Sequence, residues 1–238
     1  MLVYTIKELC RTCYTCVREC PARAIRIVGG QAEVIEERCI ACGNCTKVCS
    51  QGAKVYLSTT DRVLNLLSEE KEVAAIIAPS FPAEFFDIPD HRKLIGMIRA
   101  IGFKYIAEVS FGADLVADRY RKLVEESREN FITSDCPSIV NYVKYYHPGL
   151  VDRLAPVVSP MVAMARVIHA KYGESTKIVF IGPCVAKKAE SSDVDEAITF
   201  SELRELLVQL GITSENVQPS DFDPPVGGRG AIFPVTRG

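Results

Sequence analysis

Eight cysteines lie between residues 10 and 49 in a repeated pattern: CRTCYTCVREC at 10–20 returns as CIACGNCTKVC at 39–49, each cysteine displaced by 29 residues. In so short a segment the fold is expected to come from whatever the thiols hold. Cytosolic thiols are kept reduced, so cysteines at this density read as metal ligands or redox groups and not as disulfides. Cys10, Cys13, Cys16 and Cys20, followed by Pro21, match the spacing in which three thiolates hold one 4Fe–4S cubane and the fourth reaches the neighbouring one. The second run repeats it, with Ser50 where Pro21 stood. One cluster is therefore expected on Cys10, Cys13, Cys16 and Cys49, and its neighbour on Cys39, Cys42, Cys45 and Cys20. Soft thiolates suit iron–sulfur clusters, and tight Cys-x-x-Cys loops present backbone N–H groups to the cluster sulfurs. A pair of zinc sites is the bland alternative, but a duplicated four-cysteine run is much rarer there. Cubanes saturated by four thiolates offer no open position to a substrate, so the pair is expected to carry electrons one at a time.

The two remaining cysteines, Cys136 and Cys184, stand far down the chain, which places a boundary near residue 58. The expected domains are 1–58, a two-cluster domain; 59–72, a linking helix; and 73–238, a second lobe. With 238 residues, 48% of them apolar, the chain can bury one sizeable core and a small satellite. Lys and Arg total 28 against 30 for Asp and Glu, so neither nucleic acid nor an anionic membrane is an expected partner. The longest apolar stretches, such as Val73 to Pro82, fall short of the roughly 20 residues of a membrane helix. The N-terminus lacks a basic segment followed by an apolar one, so a cytoplasmic location is expected.

Each half of the duplication continues into a short strand pattern, Ala24 to Val28 and Lys54 to Leu57, with Gly29 and Gly30 supplying a turn. Residues 61–72 set Val63, Leu64, Leu66 and Leu67 among charges, as in an amphipathic helix. From Val73 on, β-branched runs (VAAIIAP, KYIAEVS, FITSDC, KIVFIGPC, EAITF) alternate with helical stretches near 90–101, 114–129, 137–146, 161–172 and 201–210. The fold class read from this is an α+β ferredoxin-like two-cluster domain followed by an α/β lobe with a mainly parallel sheet. Functional groups gather past the C-terminal ends of strands in such sheets. Cys136, closing the run from Phe131, and Cys184, closing the run from Lys177, are expected there.

TSDCPSIV at 133–140 and GPCVAKKAE at 182–190 resemble the first two signature motifs of the FeFe hydrogenases, and SFGADL at 110–115 and FPV at 233–235 are also similar to that family. With the duplicated cysteine domain in front, the resemblance covers essentially the whole chain. It implies a catalytic H-cluster, a cubane bridged through one cysteine to a diiron unit, in a complete form of the protein. By motif match Cys136 and Cys184 would be two of its four cubane ligands, Lys187 a hydrogen-bond donor near a diiron cyanide, and Glu190 a partner at the motif's end. Dihydrogen, with a redox partner such as ferredoxin or a signalling domain, is implied. For Lys187, Lys188 and Glu190 the alternative is a solvated helix start.

The chain departs from the catalytic pattern. Asp135 stands where catalytic members carry a proton-passing cysteine; a carboxylate can relay protons if burial raises its pKa, or it can cap the helix that begins near Pro137. Gly182 replaces a methionine. Ala155 and Val158, in APVVSP at 155–160, stand where proton-relaying members have Ser and Lys. These features favour the sensory-type branch. No cysteine follows Cys184, so the chain is expected to stop before the third motif and, in isolation, to be inactive. The leading expectation is oxidation, production or sensing of dihydrogen with electrons relayed through two cubanes. The alternatives are a non-catalytic electron-transfer or sensor module, or an iron–sulfur assembly factor. His91, His147 and His169 stand isolated and read as ordinary helix or loop residues. Met161 and Met164 read as core, Tyr142, Tyr145 and Tyr146 as core-edge aromatics, and the glycines at 227–230 as too short for a phosphate loop.

Overall fold

The computed structural model describes residues 1–69, 72–233 and 235. The end of the expected linking helix and Pro234 of the FPV stretch lie outside the described residues. In chain order the elements are β1 (Val3–Thr5), α1 (Thr15–Arg18), β2 (Ile25–Val28), β3 (Gln31–Val34), α2 (Asn44–Lys47) and β4 (Lys54–Tyr56); α3 (Thr60–Glu69), β5 (Val73–Ile77), α4 (Phe81–Glu84), α5 (His91–Ile101), β6 (Tyr105–Glu108) and α6 (Ser110–Glu126); then α7 (Pro137–Tyr146), α8 (Pro160–Tyr172), β7 (Lys177–Gly182), β8 (Glu196–Thr199) and α9 (Phe200–Gln209). They form two compact units: Met1–Ser58 with Phe131–Ala155 and Cys184–Glu190, and the described remainder from Thr59 to Asn130, from Pro156 to Pro183 and from Ser191 on. Among the described residues no helix is long and apolar enough to cross a membrane.

The first unit holds two antiparallel pairs. β2 and β3 form a hairpin over Gly29 and Gly30, whose φ of +55° and +77° give the doubly left-handed turn that matches the twist of paired strands. β1 pairs with β4, Thr5 opposite Lys54, as Val34 lies opposite Ile25 in the hairpin.

The second unit is built on a parallel sheet of order β6-β5-β7-β8. β5 is buried along its whole length, as a central parallel strand covered on both faces must be. Leu94, Ile95 and Ile98 of α5, Met161, Met164 and Ile168 of α8, and Leu203 and Leu207 of α9 fill the core against it. Each such side chain contributes roughly 1.5–3 kcal/mol of burial. α9 opens on a capping box: Thr199 Oγ1 accepts from the Glu202 amide, and Glu202 accepts from the Thr199 amide at 2.7 Å. The same buried carboxylate accepts from the amide of Thr59 at the entry to α3.

Two expectations change. The run Phe131–Asp135 joins no sheet; its β-pairing is one bridge, Ile132 to Leu154, inside the first unit. Cys136 therefore follows no strand and caps α7 instead. α6 starts at Ser110 and not near 114, because Gly112 is a packing residue: a Cβ there would lie 2.3 Å from the Pro160 carbonyl at the start of α8. The glycine-rich tail is also explained by packing, with the Gly228 and Gly230 amides both donating to the Asp114 carboxylate at 2.6 Å.

Candidate functional site

Both cysteine runs bend the chain in the same places. Thr12, Tyr14 and Arg23 are left-handed, with φ of 53°, 61° and 47°, and so are Ala41, Gly43 and Gly52, at 58°, 74° and 62°. Each member of the second trio stands 29 residues after its counterpart, like the cysteines. For a residue with a Cβ this conformation is disfavoured by about 1–2 kcal/mol. It persists because alternation of left- and right-handed residues turns successive N–H groups inward, a concavity suited to an anion.

Cys10, Cys13, Cys16 and Cys49 wall one cavity of about 370 Å³, with Ile27, Ala32 and Ala53 among its apolar lining. Cys20, Cys39, Cys42 and Cys45 wall a second of about 340 Å³, with Val3, Ile25 and Val34. Each cavity thus takes three sulfurs from one run and the fourth from the other. Between them lie Cys16, Ile25 and Ala32, packed with Cys10, Val17, Cys20, Ile27 and Cys45. Among the described residues no group of three or more His, Cys, Asp or Glu closes around a single ion, whereas four sulfurs ringing a cavity suit a polynuclear group. Burial pushes the Cys45 thiol up to about 12, and it raises Cys16 and Cys39 as well. Cys13 is lowered, first by the Thr15 hydroxyl and then by the Thr15 amide. The Ala24 amide donates to Cys20 Sγ at 3.2 Å. Four thiols around each cavity, one of them already accepting from a backbone amide, fit an anionic iron–sulfur cluster, whose iron takes the sulfurs as thiolates.

The other predicted residues meet elsewhere in the same unit. Cys136 caps α7, and Cys184 caps the short turn Val185–Ala189, which packs against α7. Lys187 ties the two: its Nζ donates to the Asp135 carbonyl at 3.1 Å and forms an ion pair with Glu190 Oε2 at 2.6 Å. Lys187 and Glu190 are mostly buried, at 12% and 13% exposed. That fits a positioned ion pair better than a solvated helix start. Lys188, by contrast, lies over the Tyr56 ring. Asp135 is not the cap of α7; its half-buried side chain precedes the capping position. In the second unit, the space beside Gly182 is taken by Phe180, whose ring would stand 2.4 Å from a Cβ.

Two contacts place this locus next to the second cavity. A Cβ on Gly43, between Cys42 and Cys45, would lie 3.2 Å from Val185 Cγ2, the residue after Cys184. Tyr142 and Tyr146 of α7 pack on Ala22, Ala24 and Ile40 with Cys20 and Cys39, and the Tyr146 hydroxyl reaches the carbonyls of Ala22 at 2.5 Å and Arg38 at 3.1 Å. Neither Cys136, Cys184 nor Val185 is among the residues lining the first cavity. No histidine lines either cavity; His147 closes α7 and packs on the Tyr142 ring. Sequence reasoning missed Lys54, a buried lysine lining the first cavity; laying one repeat over the other would have found it opposite Ile25.

Comparison with known proteins gives two family matches: "Iron only hydrogenase large subunit, C-terminal domain" over residues 71–238, and "4Fe-4S dicluster domain" over residues 2–50. Iron hydrogenase 1 of Clostridium pasteurianum is 30% identical over 214 residues, 76% of this chain and 37% of that one. A probable cytosolic Fe-S cluster assembly factor of Drosophila ananassae is 23% identical over 236 residues, 81% of this chain and 49% of that one. The chain thus spans half or less of these relatives' length. A solved FeFe hydrogenase from Chlamydomonas reinhardtii shares the fold, with a TM-score of 0.58 at 23% identity over 72% of this chain and 52% of that one.

Proposed function

Because the chain belongs to the iron-only hydrogenase large-subunit family, with a 4Fe–4S dicluster domain in front, we propose that it relays electrons singly between a redox partner and the locus of Cys136, Cys184 and Lys187, in the service of dihydrogen chemistry. One observation carries the reading: the second cysteine-walled cavity abuts the residue after Cys184, and the two cavities share the packed cluster of Cys16, Ile25 and Ala32. Cys10, Cys13, Cys16 and Cys49 would hold one cluster and Cys20, Cys39, Cys42 and Cys45 the other. Such clusters supply one-electron exchange at potentials set by charge and hydrogen bonding around them. Cys136 and Cys184 would supply two thiolates to an H-cluster in a complete form. There Lys187, fixed by Asp135 and Glu190, holds a positive charge beside the thiolates, and the Asp135 carboxylate is the proton acceptor. Partner proteins would dock at the first cavity, where Cys13 and Tyr14 are exposed. A cytoplasmic setting, where thiols stay reduced, belongs to the same reading.

The test is anaerobic reconstitution. The reading expects about eight irons with matching acid-labile sulfide, as two 4Fe–4S clusters require, and, in a form that carries the remaining cubane ligands, infrared bands of carbonyl and cyanide once maturation enzymes are supplied. Zinc in place of iron and sulfide would end it. Iron and sulfide without those bands would favour the second reading, an electron-transfer or iron–sulfur assembly role. In a matured protein D135A should abolish dihydrogen oxidation and D135C should raise it; unchanged rates in both would remove Asp135 from the mechanism.

A further inference from the structure

The repeat is broken at one pair of core positions. Ile25 and Val34 face each other across the hairpin β2–β3, and 29 residues away the equivalent register pairs Lys54 with Thr5. Ile25 is 7% exposed and Lys54 only 3%. The Lys54 ammonium donates to Thr5 Oγ1 at 2.5 Å and to the Ala32 carbonyl at 3.3 Å. Among the described residues no carboxylate pairs with it. A lysine this buried without a counter-ion is costly, and an isoleucine serves the same strand position in the other half. Lys54 also lines the first cavity, with Cys10, Cys13, Cys16 and Cys49, and is absent from the lining of the second.

We propose that Lys54 is the built-in counter-charge of the cluster in the first cavity and holds that cluster's reduction potential above its neighbour's. The proposal rests on the electron-relay reading above. Reduction adds one electron, and one negative charge, to a site where few water molecules can screen it; a fixed cation beside that site favours the reduced form. No bond breaks and no proton moves. Because the ammonium lines the first cavity and not the second, the first potential is raised more than the second. Since the second cavity abuts Val185, the gradient runs from the Cys136 and Cys184 locus outward, and an electron released there comes to rest on the outer cluster. The competing role is a plain cross-tie, with Lys54 joining β1 to β3 through its two hydrogen bonds.

The experiment is an anaerobic dithionite titration of the reconstituted full chain, followed by electron paramagnetic resonance, for wild type, K54M, K54Q and K54R. Each potential is assigned to its cavity by the signal lost in C16A or C45A. The neutral variants should make the first cluster at least tenfold harder to reduce, a shift of about 59 mV for a one-electron couple. The second should shift less, and K54R should stay near wild type. Unchanged potentials in loaded K54M and K54Q, or an equal fall in K54R, would overturn the proposal, as would loss of both clusters from K54R and the neutral variants alike, which marks a cross-tie. A wild-type chain that takes up no iron and sulfide overturns the relay reading instead.

Discussion

The two halves of the cysteine repeat share a backbone and differ in what surrounds it. Thr12, Tyr14 and Arg23 adopt the left-handed turns that Ala41, Gly43 and Gly52 adopt in the second half, so ligand geometry dictates the path even where side chains resist it. The flanks have diverged. Lys54, from the second half, sets a buried ammonium beside the first cavity, while the second cavity receives Val185 and the tyrosines of α7. The lesson is that cysteine spacing determines where clusters can sit, while the residues around each cavity set its charge and its neighbours.

The comparison breaks most visibly at the sulfurs. C16A and C45A should each lower bound iron from about eight to about four per chain if the cavities load independently, measured by iron and sulfide analysis; loss of both clusters from either variant would make the repeat one cooperative unit. Next in size is the left-handed turn shared by Tyr14 and Gly43. G43A forces a Cβ against Val185 at positive φ and should destabilise by about 1–2 kcal/mol. Y14G relieves the same backbone in the other half and should stabilise, an opposite sign that chemical denaturation of the loaded protein would show. Y146F removes the hydroxyl that meets Ala22 and Arg38, at about 1 kcal/mol, and should alter thermal stability while leaving the potential of the first cluster in place. The smallest effect lies outside the repeat. Arg204 bonds Asp87 and holds its carboxyl below the usual carboxylate range. A depressed carboxyl stabilises above its unfolded pKa and loses that contribution as pH falls through the folded value. R204A should therefore flatten the acid limb of stability at and below pH 3.8, without moving either cluster potential; a moved potential would mean that the repeat is not insulated from this surface.

What could be read in advance follows from the range of the forces involved. The cysteine runs, the turn at Gly29 and Gly30, the buried strand at Val73–Ile77 and the helix Pro137–Tyr146 are local patterns, and they are found where spacing and periodicity put them. The stretch Phe131–Asp135 has the β-branched residues of a strand, but strand formation depends on a neighbouring edge, and among the described residues it meets a single bridge partner, Leu154. Gly112 looks like a helix breaker until α8 approaches close enough to need it. Lys187 and Glu190 were visible through their motif. The Asp135 carbonyl that anchors Lys187 was not, because a bond spanning 52 residues leaves no local trace. Lys54 escaped for a different reason: reading the repeat for its cysteines discards the positions where the copies disagree.

The exchange of Cys20 and Cys49 between the cavities has a consequence for biosynthesis. A nascent chain that has emerged only as far as Gly30 carries just three of the sulfurs that surround the first cavity, and the fourth arrives 29 residues after Cys20. With four thiolates per cluster drawn from both runs, neither cluster could be fully ligated until both copies have left the ribosome.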